Sequence, residues 1–560
     1  MRTLVYAASL GTLLAAHLPP LIGGKLANID EGYAMALASR LLEGRHLYVG
    51  AVSQRGPLMY AVYEGLAGTF GWTSVSAVRL ASLAFSLAIV ALVGRGAREP
   101  ERPLAVLGAS YALALGFDPY DGLALNAELM LLPFLVLAAL LTFRAGHRGA
   151  WWAALAGFFY GVATCFKQPA VVCVVPAAAF LVLRAHSWRE GAHRLASLAT
   201  GAALVPLLFV VHAAARGDLA AFWYQTVTYN LTIHRAGAVP PLEWTRTVGR
   251  LAQAPLLVCS LVAGLAVASV RASQVHRRLR RRGLLVALGT VDALLVGLAL
   301  ACLLAAAAYR QRFGHYFLPA MPFLVLCAAR ALAGNGRGRA LAWGVPVAAL
   351  LCFFASCERM YEVLGTSDGR VAHGESVEYL AHYVQRTTSP ADRVFVWGFS
   401  PSVYPYAHRR PATRFLFESY VTGFVPWLYD DAAIEPARVV PGSMEALLGD
   451  LEREAPAIIV DAGSVQMPRS MRAYEPAARY LHEHYCFDAR VGAFDVYRRK
   501  TGECRTACFP LVAAPVDAWD APMGVQAADA VDWRDAKWLG PGVFASPRTF
   551  HAGAVCAPWP

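Results

Sequence analysis

The sequence predicts a polytopic α-helical membrane protein, with about 11 transmembrane helices followed by a small extracytoplasmic α/β domain. Three observations carry this. Hydrophobic residues make up 57% of the 560 and charged residues only 16%, against roughly 25% charged in a soluble chain. Apolar runs recur through the first two thirds of the chain. Eighteen arginines sit in the alternate segments that flank those runs on one side, with only three acids among them. Most of this chain could not cover a water-facing surface, so a string of soluble domains is excluded. Gly and Pro are unexceptional and 11 Cys are sparse, which excludes disordered, fibrous and disulfide-scaffold classes.

A helix needs about 20 apolar residues to cross the hydrocarbon, fewer when spans are paired or broken. Runs of this kind lie near 3–22, 73–93, 104–117, 126–143, 151–166, 169–183, 197–214, 248–270, 284–308, 316–333 and 341–356. The first follows a short basic start, but no small-x-small cleavage site follows it, so it reads as an uncleaved span. With a cytoplasmic N-terminus, the inner loops hold eighteen arginines against three acids, Glu99, Glu101 and Glu190. The net charge of +12 is therefore a topology signal rather than a nucleic-acid surface. It orients the chain in the cell (inner) membrane with its C-terminal domain outside.

The transmembrane unit is expected over 1–356. Its first outer loop, 23–72, contains two amphipathic helices. Glu31–Leu42 places Tyr33, Leu37 and Leu41 on one face, and the stretch after Pro57 does the same with Leu58, Val62 and Leu66. Both are expected to lie in the interface plane. The second long outer loop, about 215–247, carries Phe222, Trp223, Tyr224, Tyr229 and Trp244, the composition of an aromatic belt. Two short spans are joined by Lys167-Gln168-Pro169, and interrupted spans of this kind line polar cavities.

Beyond residue 356 the pattern changes. Helical periodicity at Glu375–Arg386, Ser443–Glu454 and Pro476–His484 alternates with strand-like RVFVW (393–397) and AIIV (457–460), while Ala489–Arg498 alternates like an edge strand. This predicts an α/β domain over 357–500. The tail, 501–560, has no assignable structure. Cys486, Cys504, Cys508 and Cys556 fall in this outer part, where an oxidising compartment favours one or two disulfides.

The residues able to do chemistry gather on the outer face. Asp30-Glu31 open the first amphipathic helix, as capping acids or as a general base or metal ligand at a cavity. Asp118, Asp121, Asn126 and Glu128 mark the turn between the third and fourth spans. Turn formation accounts for the first two, whereas Glu128 enters an apolar span, where an unpaired charge is costly. Arg55, Lys167, Arg310 and Arg312, with His315-Tyr316 nearby, run against the positive-inside trend, and binding a phosphate is one reason for such cations. Gln168 belongs to the same cavity. A divalent cation between Asp30 and Glu128 is compatible with this pattern. No Walker loop, dinucleotide fingerprint, HExxH or GxSxG stands in a suitable context. Asn230-Leu-Thr is a formal glycosylation sequon.

In this order, IDEGYAMALASRLLEGRHLYVGAVSQRGPLMY (29–60), NAELMLLPF (126–134), FKQPA (166–170), HYFLPAMPFL (315–324) and DRVFVWGFSPSVYPYAHRRPATRF (392–415) resemble the GT-C superfamily of membrane glycosyltransferases. The nearest branch holds bacterial relatives of protein O-mannosyltransferases, aminoarabinose transferases and Rgt-type galacturonic acid transferases. EAPAIIVDAG (454–463) and FDVYRR (494–499) resemble the family's C-terminal domain. The resemblance implies a polyprenyl-phosphate-linked sugar as donor and an extracytoplasmic acceptor hydroxyl. It implies the acid at Asp30-Glu31 as base and Arg55 on the donor phosphate; the chemistry of such a transfer then assigns Lys167 and Arg310 or Arg312 to the same cationic clamp and Glu31 or Glu128 to orienting Asp30 or binding metal. Arg55-Gly56-Pro57 stands where aminoarabinose transferases tend to have Lys before Pro-Pro. Competing readings are a secondary transporter, which would show inverted halves with matching broken spans, and a non-catalytic protein of envelope assembly.

Overall fold

The computed structural model describes residues 2–115, 122–235, 290–308, 314–333, 374–425, 432–462, 470–492, 494–502, 537–540 and 543–545. Helices dominate the first part. α1 (Arg2–Ile22) runs through Pro19 and Pro20, then α2 (Ile29–Leu42) and α3 (Pro57–Phe70) fill the first long loop. α4 (Val75–Gly96), α5 (Arg102–Leu115), α6 (Ala127–Arg148) and α7 (Ala150–Phe166) follow. A 3-10 turn over Gln168–Cys173 leads into α8 (Val174–Leu183), then α9 (Trp188–Ala215). Further on lie α10 (Val291–Ala308) and α11 (Met321–Ala333). Among the described residues, five helices are long and apolar enough to cross a membrane: α1, α4, α6, α9 and α10. The expected runs at 248–270 and 341–356 lie outside the described residues.

The start signals are local. Asn28, Ser74, Asn126 and Ser187 each accept a backbone N–H in the first turn of the helix that follows, satisfying a donor that the helix cannot. Close packing sets the pairing of α7 with α9. A Cβ at Gly157 would collide with the Leu198 carbonyl, and one at Gly201 with that of Ala154. Small residues let membrane helices approach to backbone contact in this way.

The C-terminal part forms a five-stranded sheet. Its strands are β1 (Arg393–Trp397), β2 (Arg410–Pro411), β3 (Ile458–Asp461), β4 (Tyr485–Val491) and β5 (Phe494–Arg499), in the order β2-β1-β3-β5-β4. β1 pairs in parallel with β2 and β3, while β5 is antiparallel to both β3 and β4. Helices α12 (Gly374–Thr387), α13 (Ser443–Glu454) and α14 (Glu475–His484) accompany it. Every residue of β3 is buried, as expected for a strand covered on both faces. The single edge strand expected at 489–498 is instead a hairpin, and its second strand is interior because β3 pairs on one side of β5 and β4 on the other. In the tail, Lys537–Gly540 pairs with Val543–Ala545. Cys486 is disulfide-bonded.

The α/β unit changes the environment of α2. All residues from Glu31 to Arg40 are buried, rather than one apolar stripe. Tyr33 stacks on Phe417 at 4.4 Å, a Cβ at Gly32 would collide with Ser402, and Arg40 Nη1 donates to the Pro411 carbonyl at 3.1 Å. In α3 the deeply buried face is Met59, Tyr60, Tyr63 and Ala67, and Leu58, Val62 and Leu66 are only half-buried. Tyrosine hydroxyls need protein partners when buried. Tyr60 finds Ser53 and Tyr63 finds the Leu125 carbonyl. The aromatic loop is divided in the same way. Trp223 is exposed as a belt residue would be, whereas buried Tyr229 stacks on Tyr420 of the α/β unit at 5.0 Å. Trp244 lies outside the described residues.

An ionic clasp closes the docking. Glu43 receives Arg393 and Arg410, each at 2.7 Å, and Glu454 receives Arg45 and Arg393, each at 2.9 Å. Burial would raise the Glu43 carboxyl, but the two guanidiniums outweigh it and hold the group below the usual carboxylate range. A depressed carboxylate stabilises the fold above its unfolded pKa and loses that contribution as pH falls through its folded value. Glu43→Gln is expected to cost about 1–3 kcal/mol at neutral pH. In thermal melts the gap to wild type should close as pH drops below about 4; a gap independent of pH would refute the assignment.

Candidate active site

The Asn28 cap sets the first turn of α2 so that its two acids diverge. Asp30 turns toward the loop before α3, where its Oδ1 meets Arg55 Nη2 at 2.6 Å. Glu31 turns inward and is fully buried. Its Oε1 accepts the Leu125 N–H and its Oε2 the Ala27 N–H, both at 2.6 Å, and Arg79 of α4 pairs with it. Both Glu31 oxygens are thus engaged. This carboxylate ties α2, α4 and the segment leading into α6 together.

Asn126 caps α6, accepting the Leu129 N–H at 2.9 Å, and so starts the helix with Glu128 in its first turn. Glu128 is only 4% exposed. It pairs with Lys167, at the break between α7 and the 3-10 turn, and His315 Nε2 stands 3.7 Å from its Oε1. The Lys167 ammonium also sits 3.7 Å above the centre of the Tyr316 ring, a favourable cation–π placement. The interruption at Lys167-Gln168-Pro169 thus supplies a cation at the end of a span, where it meets an acid.

Close contacts bring the two pairs to one place. A Cβ at Gly56 would collide with the Cys165 and Phe166 carbonyls, so the Arg55 loop lies directly on the end of α7. Gln168 Nε2 donates to the Gln54 carbonyl at 3.2 Å and to that of Thr226 at 3.3 Å. Asn230, the sequon residue, also donates to the Gln54 carbonyl, at 2.9 Å. Burial alone would lower the Arg55 pKa. Asp30 reverses this and raises it, with Glu128 acting in the same sense. Arg55 Nη1 and Asn126 Nδ2 are buried and find no partner among the described residues. They are spare donors in a site already holding two cations.

Of the residues singled out from sequence, Asp30, Arg55, Asn126, Glu128, Lys167, Gln168, His315 and Tyr316 line this cluster, and Glu31 lies behind it. Asp118, Asp121, Arg310 and Arg312 lie outside the described residues. Among the described residues, no group of three or more His, Cys, Asp or Glu is arranged to hold a metal ion. Sequence reading missed Arg79, Ser53, Gln54, Tyr33, Tyr60 and Tyr420, although Arg79 had a signal, since a lone cation inside an apolar span demands an acid. Tyr420 bonds to the Gln54 side chain across a sequence gap that no local pattern bridges.

This arrangement can bind an anion and take a proton. Arg55 and Lys167 offer N–H donors toward a phosphate, while the carboxylate of Asp30, 17% exposed at its side chain, can accept a proton from a bound hydroxyl.

The family model described as dolichyl-phosphate-mannose-protein mannosyltransferase matches residues 54–213. By sequence, no curated protein matches the chain. Among solved structures, ArnT from Cupriavidus metallidurans bound to undecaprenyl phosphate is similar with a TM-score of 0.53 at 16% identity, over 89% of this chain and 97% of that one. Its apo form gives 0.51 at 16% identity, over 83% and 92%. The oligosaccharyltransferase of Archaeoglobus fulgidus gives a TM-score of 0.46 at 11% identity, over 90% and 74%. The chain thus shares the fold of ArnT over most of both lengths, in keeping with the resemblance to GT-C membrane glycosyltransferases read from its sequence.

The fully buried Glu31–Arg79 pair and the partly exposed Asp30–Arg55 pair should respond differently to neutralisation. Glu31→Gln strands Arg79, and breaking a buried pair costs about 3–5 kcal/mol. Little folded protein is expected by size exclusion, with recovery in the Glu31→Gln/Arg79→Met double variant. Asp30→Asn, at a partly open position, should melt within a few degrees of wild type. Equal losses in the two single variants would remove the distinction.

Proposed function

We propose that this protein is an integral-membrane glycosyltransferase that moves a monosaccharide from a polyprenyl-phosphate donor to an extracytoplasmic acceptor hydroxyl. The acceptor is of the glycolipid, polysaccharide or protein kind. The observation that carries the reading is the juxtaposition of Asp30–Arg55 with Glu128–Lys167 at one end of the bundle, with Arg55 Nη1 buried and unpartnered among the described residues. The ArnT likeness supports it, since that protein is described bound to undecaprenyl phosphate.

In this reading the donor phosphate binds Arg55 and Lys167 and competes with Asp30 for the Arg55 guanidinium, which frees Asp30. The acceptor oxygen attacks the anomeric carbon while Asp30 takes the hydroxyl proton. The bond from that carbon to the phosphate oxygen breaks, its electron pair leaves with the polyprenyl phosphate, and the two cations neutralise the charge that develops there. A single displacement inverts the anomeric centre. Glu128 holds Lys167 in place, and the prenyl chain contributes about 0.8 kcal/mol per buried CH₂. With the basic loops cytoplasmic, the site opens at the outer leaflet of the inner membrane and the α/β unit covers it.

The test supplies the purified protein with polyprenyl-phosphate mannose, arabinose and galacturonic acid together with an envelope extract. Released polyprenyl phosphate is measured by mass spectrometry. Wild type should release it from one preferred donor. Asp30→Asn should be slower by about 10²–10⁴-fold, the usual weight of a general base, with donor binding retained. Arg55→Gln should weaken donor binding as well as turnover. Release by Asp30→Asn at the wild-type rate would overturn the assignment of the base. No release from any of these donors by folded wild type would count against the reading as a whole.

A further inference from the structure

We propose that the opposite end of the bundle holds a binding site for the headgroup of an anionic glycerophospholipid. α7 separates the two places. Its 17 residues span about 25 Å at 1.5 Å per residue, from the acidic cluster at Phe166–Lys167 to the turn at Gly149. A cavity of about 600 Å³ lies at that far end, between the α6–α7 turn and the α8–α9 turn.

Its charged lining is Arg148, Arg184 and Arg194, with His147, His186 and a single acid, Glu190. The side chain of Arg194 is only 5% exposed. Its Nη2 pairs with Glu190, but its Nε and Nη1 are buried without a partner among the described residues. Arg184 sends Nη2 to His147 at 3.1 Å and leaves its buried Nε unpartnered as well. Buried guanidinium donors without acceptors are costly. The acceptors present do not suffice, because the one carboxylate also takes the His186 N–H at 2.7 Å. A phosphate group offers several acceptor oxygens to such donors.

The surroundings point to a lipid rather than a soluble anion. Trp151 is 73% exposed and Trp188 is 79% exposed; they begin α7 and α9 beside the cavity. Exposed tryptophans occur at headgroup depth, where the ring meets both acyl chain and water. Arg144 lies over the Trp152 ring at 5.5 Å and Arg189 over that of Trp188 at 5.7 Å, keeping cations at the same level. Leu195, two turns into α9, is exposed on the same helix as Arg194, so acyl chains have an apolar surface below the phosphate. Basic pockets between membrane helices are known to take anionic headgroups. The site would pin the α6–α7 and α8–α9 turns together and is independent of the catalytic reading.

The test is lipid titration of the full chain in detergent, followed by native mass spectrometry and thermal melts. Phosphatidylglycerol should bind wild type at least about tenfold tighter than phosphatidylcholine and raise its melting temperature in a dose-dependent way. Arg184→Gln and Arg148→Gln, which leave the Glu190–Arg194 pair intact, should each lose most of this preference. Arg102→Gln, a basic residue outside the cavity, should keep it. Three results would overturn the proposal: no preference for the anionic lipid, equal loss in Arg102→Gln, or equal stabilisation by glycerol 3-phosphate, which would make this a site for soluble anions.

Discussion

A charge taken out of water into an apolar bundle has to meet its opposite, and the acid-rich end of this protein is organised by that constraint. Glu31 and Arg79 are its centre. The pair is fully buried, and each member alone would be untenable in its surroundings. Because the acid also accepts the N–H groups of Ala27 and Leu125, a single carboxylate fixes where α2 begins, how α2 meets α4, and where the chain enters α6. Asp30 and Glu128 inherit their positions from that junction. Both sit two residues after a capping asparagine, and their cations come from the two other segments that converge there.

The α/β unit extends the same junction. Its contact with α2 combines ring stacking, as in Tyr33 on Phe417 and Phe417 on Phe399 at 4.8 Å, with the arginines drawn to Glu43 and Glu454. Arg414, which accepts Val52 N–H at its carbonyl, is itself held bidentately by buried Asp450 at 2.8 and 2.9 Å. The loop carrying Gln54 and Arg55 is therefore held from above by the sheet and from the side by the end of α7. A positioned site of this kind owes its precision to the groups behind it, more than to the two or three side chains that face substrate.

The two ends of the bundle differ in how their charges are balanced. At the acid-rich end, carboxylates and cations are matched nearly one to one, leaving only isolated donors free. At the other end arginines outnumber acids and the surplus is concentrated around a cavity. The first arrangement suits a site that must bind a phosphate and also hold a base. The second suits retention of an anion.

Composition and periodicity determined the class of this protein: the apolar runs, the one-sided arginines and the change of pattern after residue 356 are properties of the chain read locally. So were the break at Lys167 and the acids and cations around Asp30 and Glu128, because a charge beside an apolar span is conspicuous in one dimension. The tertiary structure alone decided which acid pairs with which cation. Asp30 and Glu31 are neighbours in sequence with the same chemistry, yet one helical step sends one to Arg55 and the other to Arg79. It also decided that α2 is buried on all sides, that Tyr60 and Tyr63 rather than the leucines of α3 face inward, and that Tyr420 reaches Gln54. Periodicity shows that a face will be buried, but what buries it comes from segments hundreds of residues away, and only packing brings these together.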